Sequence, residues 1–335
     1  ALPDNTWAYS VKFSETYNYN PIPKLSAPNV IGGRNDDFKY WETGDNYITR
    51  IAVKINNNLE AGKYSNKLVY SVISNPYDKK TEILKYGFGS VSPSGGQYDT
   101  KYIKRAESIP SDVINTTSIE TSSSDYEIRA WYDANEDTIF YYTEQKKIYL
   151  PVDSWGMFLN FSKLRSLDLS DFDSIYVTNL SHMFTQCYEL EEVNLSSFDT
   201  SKVTDMEQMF RFSRKIKYLN LSNFNTEKVT NMNEMFDNMH DLIELDISNF
   251  NTKNVKNMNR MFAKYMGTED MLEKIYVNND FDISNLISAN HPFDERKKLR
   301  GGKGSFLVDP RDADKTWLRI DDPDNGRPGY FTRKS

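Results

Sequence analysis

Leu219-Asn220-Leu221-Ser222-Asn223-Phe224-Asn225-Thr226-Glu227-Lys228-Val229-Thr230-Asn231-Met232-Asn233-Glu234-Met235-Phe236 changes its hydrophobic period part-way along. It opens with apolar–polar alternation, the period of a strand. After a polar turn around Phe224, apolar residues fall at Val229, Met232, Met235 and Phe236, which is helical spacing. The same pattern runs through neighbouring segments. Met-Phe pairs stand at 157–158, 183–184, 209–210, 235–236 and 261–262, each 26 residues from the next. Leu164, Leu190, Ile216 and Leu242 move in step with them, as do Leu167, Val193, Leu219 and Leu245. So do Leu169, Leu195, Leu221 and Ile247, and the Phe at 172, 198, 224 and 250. A fixed period of this length means stacked units, because one unit cannot bury its apolar face alone.

Each coil is expected to hold one short strand, one polar turn and one short helix or helical turn. Leu167 and Leu169 point to the core, and Ser166, Asp168 and Ser170 point away. Thr178, Thr204 and Thr230 stand where a hydroxyl caps the first helical turn. The strands stack about 4.8 Å apart into a parallel sheet, and the Met and Phe residues fill the other side as core.

These residues resemble the 26-residue leucine-rich repeat of bacterial surface proteins, the BspA-like type, over about 150–290 with four good copies. Ile128–Asp133 with Thr138–Tyr142 resembles the aromatic hairpin preceding such repeats. Leu318–Asp321 with Pro328–Thr332 resembles their closing segment. The resemblance implies a non-catalytic role in binding or adhesion at a bacterial cell surface, or after secretion, with a protein or glycan as partner. A structural spacer or self-assembling envelope protein is the alternative; self-association is possible, and concentration-dependent association would favour that alternative.

The fold class expected is mixed: a β-sandwich-like module, then a leucine-rich-repeat solenoid with short parallel strands on one side and short helices on the other. The sandwich-like module spans 1–82, with strands at Ile48–Ile55 and Lys67–Ile73 separated by Asn56-Asn57-Asn58. Its Leu59–Tyr70 stretch is similar to the final strands of stalk-like modules in bacterial surface proteins. The Gly- and Ser-rich run within 83–97 reads as a linker. Residues 98–150 are a strap and the N-terminal hairpin cap, 151–290 the repeats and 291–335 the C-terminal cap. Lys264–Asp270 is an insertion in the fifth coil, expected as the approach to that cap, since terminal repeats are atypical.

Composition narrows the function. The chain of 335 residues has net charge −7 and no basic stripe, against a nucleic-acid partner. Its single cysteine, Cys187, excludes an intrachain disulfide and is expected to pack as a small apolar residue. No run of 18 apolar residues would span a membrane. Neither a signal-peptide pattern nor a sorting signal occurs, so export signals and any wall anchor are expected outside these residues. His182, His240 and His291 are scattered, and the first two are expected to be solvated. No H-E-x-x-H, C-x-x-C, G-x-S-x-G or phosphate loop occurs, so no catalytic residue, metal site or cofactor is expected. Asp133–Asp137 lacks the Gly and distal Glu of a calcium loop and reads as a hairpin turn. Gly301-Gly302-Lys303-Gly304 reads as a turn in the cap.

The candidate binding face is the outward side of the strands. One column holds Asp168, Asn194, Asn220, Asp246 and Tyr276. A second holds Ser166, Glu192, Tyr218, Glu244 and Lys274, and a third is mainly serine. The first and third are either a hydrogen-bonded ladder or part of a recognition surface. The second varies in size and charge on a constant scaffold, and Tyr218 between Glu192 and Glu244 is its expected hot spot.

Overall fold

The computed structural model describes the strands of residues 6–12, 17–21 and 49–54, and residues 80–91, 98–267 and 269–334. The chain divides into two compact units, Ala1–Asn75 and Pro76–Ser335.

In the first unit, β1 (Thr6–Lys12) lies between β2 (Tyr17–Pro21) and β3 (Thr49–Lys54), antiparallel to both. Thr49–Lys54 falls within the strand expected at Ile48–Ile55. The strand expected at Lys67–Ile73 lies outside the described residues.

The second unit begins with β4 (Tyr102–Arg105), β5 (Thr117–Ser118), β6 (Arg129–Asp133), β7 (Thr138–Tyr142) and β8 (Ile148–Tyr149). It continues with β9 (Ser166–Asp168), β10 (Phe172–Asp173), β11 (Glu192–Asn194), β12 (Glu244–Asp246), β13 (Lys274–Val277) and β14 (Phe331–Arg333). The order β11-β9-β4-β7-β6-β5 forms one sheet. Val193 sits opposite Leu167, Leu167 opposite Ile103 and Ile103 opposite Ile139, so apolar side chains share one face. β12, β13 and β14 form a second sheet, all parallel, with Leu245, Ile275 and Phe331 in line. β4 is the difference from expectation here. It comes from the strap, yet it, rather than the hairpin β6–β7, lies directly on the first coil's strand. Its Ile103 supplies the inward apolar residue that β9 needs for a partner.

The coils stack in register. A continuous parallel ladder joins Asp153, Asn179, Asp205, Asn231, Asn257 and Ser288. The phenylalanines of the Met-Phe pairs stack at their core. Phe158, Phe184, Phe210, Phe236, Phe262 and Phe293 have successive centroids 5.6, 5.4, 6.0, 5.9 and 5.4 Å apart, with planes within 16°. Each ring is at most 1 % exposed.

The Met-Phe side is not helical. It is a run of overlapping turns, with Met183 N–H on Leu180 O (3.3 Å), Thr185 N–H on His182 O (3.1 Å) and Cys187 N–H on Phe184 O (3.3 Å). Backbone φ is positive at His182, Gln208, Glu234 and Arg260 (49–59°) and again at Gln186, Phe212 and Asn238 (60–62°). Left-handed residues cost about 1 kcal/mol each and cannot continue a helix. What they gain is direction. The N–H groups of Leu180, His182, Phe184 and Gln186 turn out of their own coil and donate to Asp205, Glu207, Met209 and Arg211 of the next, at 2.7–3.0 Å. Thr178, Thr204 and Thr230 accordingly cap no helix. Their hydroxyls donate to Val152, Thr178 and Thr204 carbonyls of the preceding coil.

Residues 83–91, expected within the linker at 83–97, are packed against the rest of the second unit. Glu82 bridges Tyr149, Ile83 is fully buried, and Phe88 stacks on Phe158 at 6.0 Å. Phe88 continues the phenylalanine column by one ring beyond the first coil, which would otherwise leave an apolar end open to water. Gly87 is required there, since a Cβ would lie 2.9 Å from that of Ile119. Residues 92–97 lie outside the described residues.

Candidate functional site

Most polar positions of the repeat are used by the stack itself. At the corner after each strand, Asp168, Asn194, Asn220 and Asp246 accept the N–H of the residue two on, Ser170, Ser196, Ser222 and Ser248, at 2.9–3.1 Å. These are Asx turns, the motif that makes Asp and Asn turn formers. Asn194 Nδ2 also donates to Asp168 Oδ1 at 2.8 Å. Two further Asx columns mark the other corners, at Asp199, Asn225 and Asn251 and at Asn179, Asp205 and Asn231. Between them, the buried Thr200 and Thr226 hydroxyls each bridge both backbone groups of the residue 25 positions on. The Asp/Asn column proposed for binding therefore closes turns. Asn194, Asn220 and Asp246 keep partly exposed side chains, but their oxygens are engaged by the protein's own backbone.

The second column stays open at its centre. Tyr218 is 75 % exposed, and Glu192 and Glu244 flank it on exposed positions. Among the described residues, Tyr218–Asn220 forms no strand pairing, while β11 pairs away from it with β9 and β12 with β13. Further along, Glu244 of this column and Asp246 of the first are both engaged. Tyr276 Oη donates to Glu244 Oε1 at 3.1 Å, and Lys334 pairs with Asp246. Burial pushes the Asp246 carboxyl up, but the hydrogen bonds from Lys334 and Ser248 outweigh it and hold the group below the usual carboxylate range. Burial, then the Glu244 bond, push the Tyr276 phenol up. Sequence reading missed Lys334, since nothing in the repeat signals a contact with a residue 88 positions away.

The turn face opposite is a network of paired charges. Arg211 meets Glu234 at 2.7 Å and Asp237 at 3.3 Å, and Arg260 meets Asp237 at 3.3 Å and Asp294 at 2.8 Å. Burial raises the Asp237 pKa despite both guanidinium groups. The insertion folds back over this face, where Tyr265 stacks on Phe212 at 5.6 Å. His182 and His240 are half-buried rather than solvated. Burial lowers both, with Arg214, Arg296 and Lys264 adding to the effect at His240, which falls to about 4. Cys187 is fully buried, its thiol pushed up by burial and donating to Phe158 O at 3.1 Å. Asp133–Asp137 is a hairpin turn, with Asn135 N–H on Asp133 Oδ1 at 2.8 Å. In the cap, Lys303 Nζ reaches Asp322 and Asp324 at 2.7 and 2.8 Å, so its glycine-rich turn is clamped to an acidic one.

No group of three or more His, Cys, Asp or Glu side chains among the described residues is arranged to hold a metal ion. No helix among them is long and apolar enough to cross a membrane. The family model described as "Mycoplasma protein of unknown function, DUF285" matches residues 152–275 and again 178–306. The two matches start one 26-residue repeat apart, so the chain is similar to that family through its coils. No curated protein and no solved structure matches the chain.

Proposed function

We infer that this chain is a non-catalytic binding protein of a bacterial cell surface, attached or secreted. Its coil stack acts as a leucine-rich-repeat solenoid of the BspA-like type and engages a protein or glycan on a host or bacterial cell through the strand face. The observation that carries this is the division of labour among the polar residues. The repeated Asp, Asn and Thr columns are spent on turns and coil-to-coil hydrogen bonds. The one outward column that varies, Glu192–Tyr218–Glu244, presents a solvated aromatic between two carboxylates. A largely exposed aromatic, 75 % of its surface in solvent, is the residue type that dominates interface energies, and the acidic rim suits a basic or hydroxyl-rich partner.

The test is saturable binding of the full chain to intact bacterial and host cells, with Tyr218→Ala beside it. The proposal expects at least about a tenfold weaker Kd for the variant, the size of a modest hot spot. An unchanged isotherm on the cells that bind best would move recognition away from this face.

A further inference from the structure

Lysines and tyrosines from four separate segments meet at one corner of the coil stack. Tyr149, on β8, and Tyr176, in the turn after β10, have ring centroids 5.6 Å apart. Lys80 Nζ lies 4.2 Å from the Tyr176 centroid and 6.0 Å from that of Tyr149. Lys202 repeats the Tyr176 position one coil on, and its Nζ lies 4.9 Å from the Tyr176 centroid. Lys147 Nζ lies 5.7 Å from the Tyr149 centroid. Lys80 is placed there by its main chain. Its N–H donates to Asp125 Oδ2 at 2.7 Å, and its carbonyl accepts from Asp125 N–H at 2.8 Å.

Of these three ammonium groups, only that of Lys147 is neutralised. It pairs with Asp173 at 2.5 Å, and the other oxygen of that carboxylate accepts Ile175 N–H at 2.9 Å. Among the described residues, Lys80 Nζ and Lys202 Nζ have neither an ion pair nor a hydrogen bond, and the hydroxyls of Tyr149 and Tyr176 have no hydrogen-bond partner. Glu82 and Asp199 feel the Lys80 and Lys202 charges, but neither forms an ion pair with them. Asp199 Oδ1 is taken by Ser201 N–H at 2.9 Å. A ring face attracts a cation without cancelling its charge, and two unpaired cations over one ring repel each other. In a chain of net charge −7, this corner is a local excess of positive charge. It is also open to solvent, with Lys147, Tyr176 and Lys202 exposed.

We propose that this corner binds a sulfate or phosphate ester group, whose oxygens accept from the ammonium groups of Lys80 and Lys202 and from the Tyr149 and Tyr176 hydroxyls. The donors select the class. They outnumber what a planar carboxylate can accept, whereas a tetrahedral ester presents its free oxygens in several directions. Charge-assisted bonds to such oxygens are the strong ones. Lys147 adds attraction without leaving Asp173. The Tyr176 ring already carries Lys80 and Lys202, so recognition rests on the ligand's anion rather than on stacking. The site uses none of Glu192, Tyr218 and Glu244, whose acidic rim suits the opposite charge, and it stands independently of the strand face.

The experiment titrates the full chain by calorimetry with a heparin tetrasaccharide and with its desulfated, N-acetylated form, and sediments it with phosphatidic acid and phosphatidylcholine vesicles. Melting curves establish that each variant is folded. Saturable binding of the sulfated tetrasaccharide is expected. Lys80→Gln and Lys202→Gln should each weaken it about tenfold or more, the scale of a lost charge-assisted bond. Lys202→Arg, which keeps the charge, should stay within about threefold of the unaltered chain. Lys228→Gln is the control. Lys228 repeats the Lys202 position one coil further on and is exposed, and its loss should change Kd by less than about twofold. Binding to phosphatidic acid but not phosphatidylcholine vesicles, lost in the same two variants, would support the same site with a lipid phosphate as its source. Equal binding of the desulfated form would overturn the proposal. So would an equal loss in Lys228→Gln, indifference to Lys80→Gln and Lys202→Gln, or no saturable binding of either the tetrasaccharide or the phosphatidic acid vesicles.

Discussion

Thr226→Val isolates the claim that the repeat's threonines hold coils together. Thr226 is 1 % exposed. Its hydroxyl donates to Asn251 O at 2.9 Å and accepts from Asn251 N–H at 2.7 Å. Valine keeps the shape and removes both bonds, each worth about 1 kcal/mol net. It also leaves the N–H and C=O of Asn251 without their partner. The Asn251 side chain is on the surface, so water recovers part of that loss. The expected destabilisation is about 2–3 kcal/mol. Thr230→Val is the matched control. The Thr230 hydroxyl reaches Thr204 O at 3.2 Å, but the same carbonyl already accepts the Thr230 N–H at 2.8 Å. Its loss should therefore cost below about 0.5 kcal/mol. Urea midpoints give the comparison, and hydrogen exchange over 220–255 localises it, since repeat arrays need not unfold as one unit. Equal stability of the two variants would refute the reasoning.

Three other outcomes follow from the same geometry. Phe88→Ala should destabilise the second unit by about 3–5 kcal/mol, with exchange protection lost first across 148–161. A silent substitution in urea would return residues 83–91 to a linker. His240 has a folded pKa of about 4 against an ordinary value of about 6.5. The unfolded chain therefore takes up the proton first as pH falls, and stability drains between those two values and is constant above them. His240→Gln should flatten that part of the urea-midpoint profile, and an unchanged slope would contradict the assignment. Arg296 is fully buried, pairs with Asp270 at 3.1 Å and donates to Met239 O at 3.2 Å and Ala263 O at 3.3 Å. Arg296→Met should cost about 3–5 kcal/mol by stranding the Asp270 charge, with partial recovery in Arg296→Met/Asp270→Leu. Equal midpoints for the single and double variants would show that the pair is not coupled.

The strand side was the more legible part of the sequence. Alternation at Leu167 and Leu169 placed the inward and outward columns, and the exposure of Tyr218 follows from it. The turn side was not legible. Apolar residues at Val177, Leu180, Met183 and Phe184 have the same spacing whether the backbone is a helix or a run of turns. What separates the two is the sign of φ at His182 and Gln186, and neither residue is a glycine that would announce it. The Asn and Asp inside these runs, two residues after Val177 and Val203 at Asn179 and Asp205, were the available signal, because Asx turns favour non-helical corners. Phe88 was missed for another reason. A single plug has no period, and its Gly and Ser neighbours have the composition of a linker. For the candidate site, the sequence left the Asp/Asn column open between a hydrogen-bonded ladder and part of a recognition surface. Its chemistry, turn closure onto its own backbone, came only with the geometry.

The most direct test of the central claim sets two outward columns against each other in one binding experiment. The full chain, a Glu192→Ala/Tyr218→Ala/Glu244→Ala variant and an Asn194→Ser/Asn220→Ser variant are titrated onto the same intact cells, after melting curves establish that all three are folded. Saturable binding lost in the first variant and retained in the second is the predicted result. Binding retained in the first and lost in the second would contradict it, and would place recognition on the turn-forming column instead.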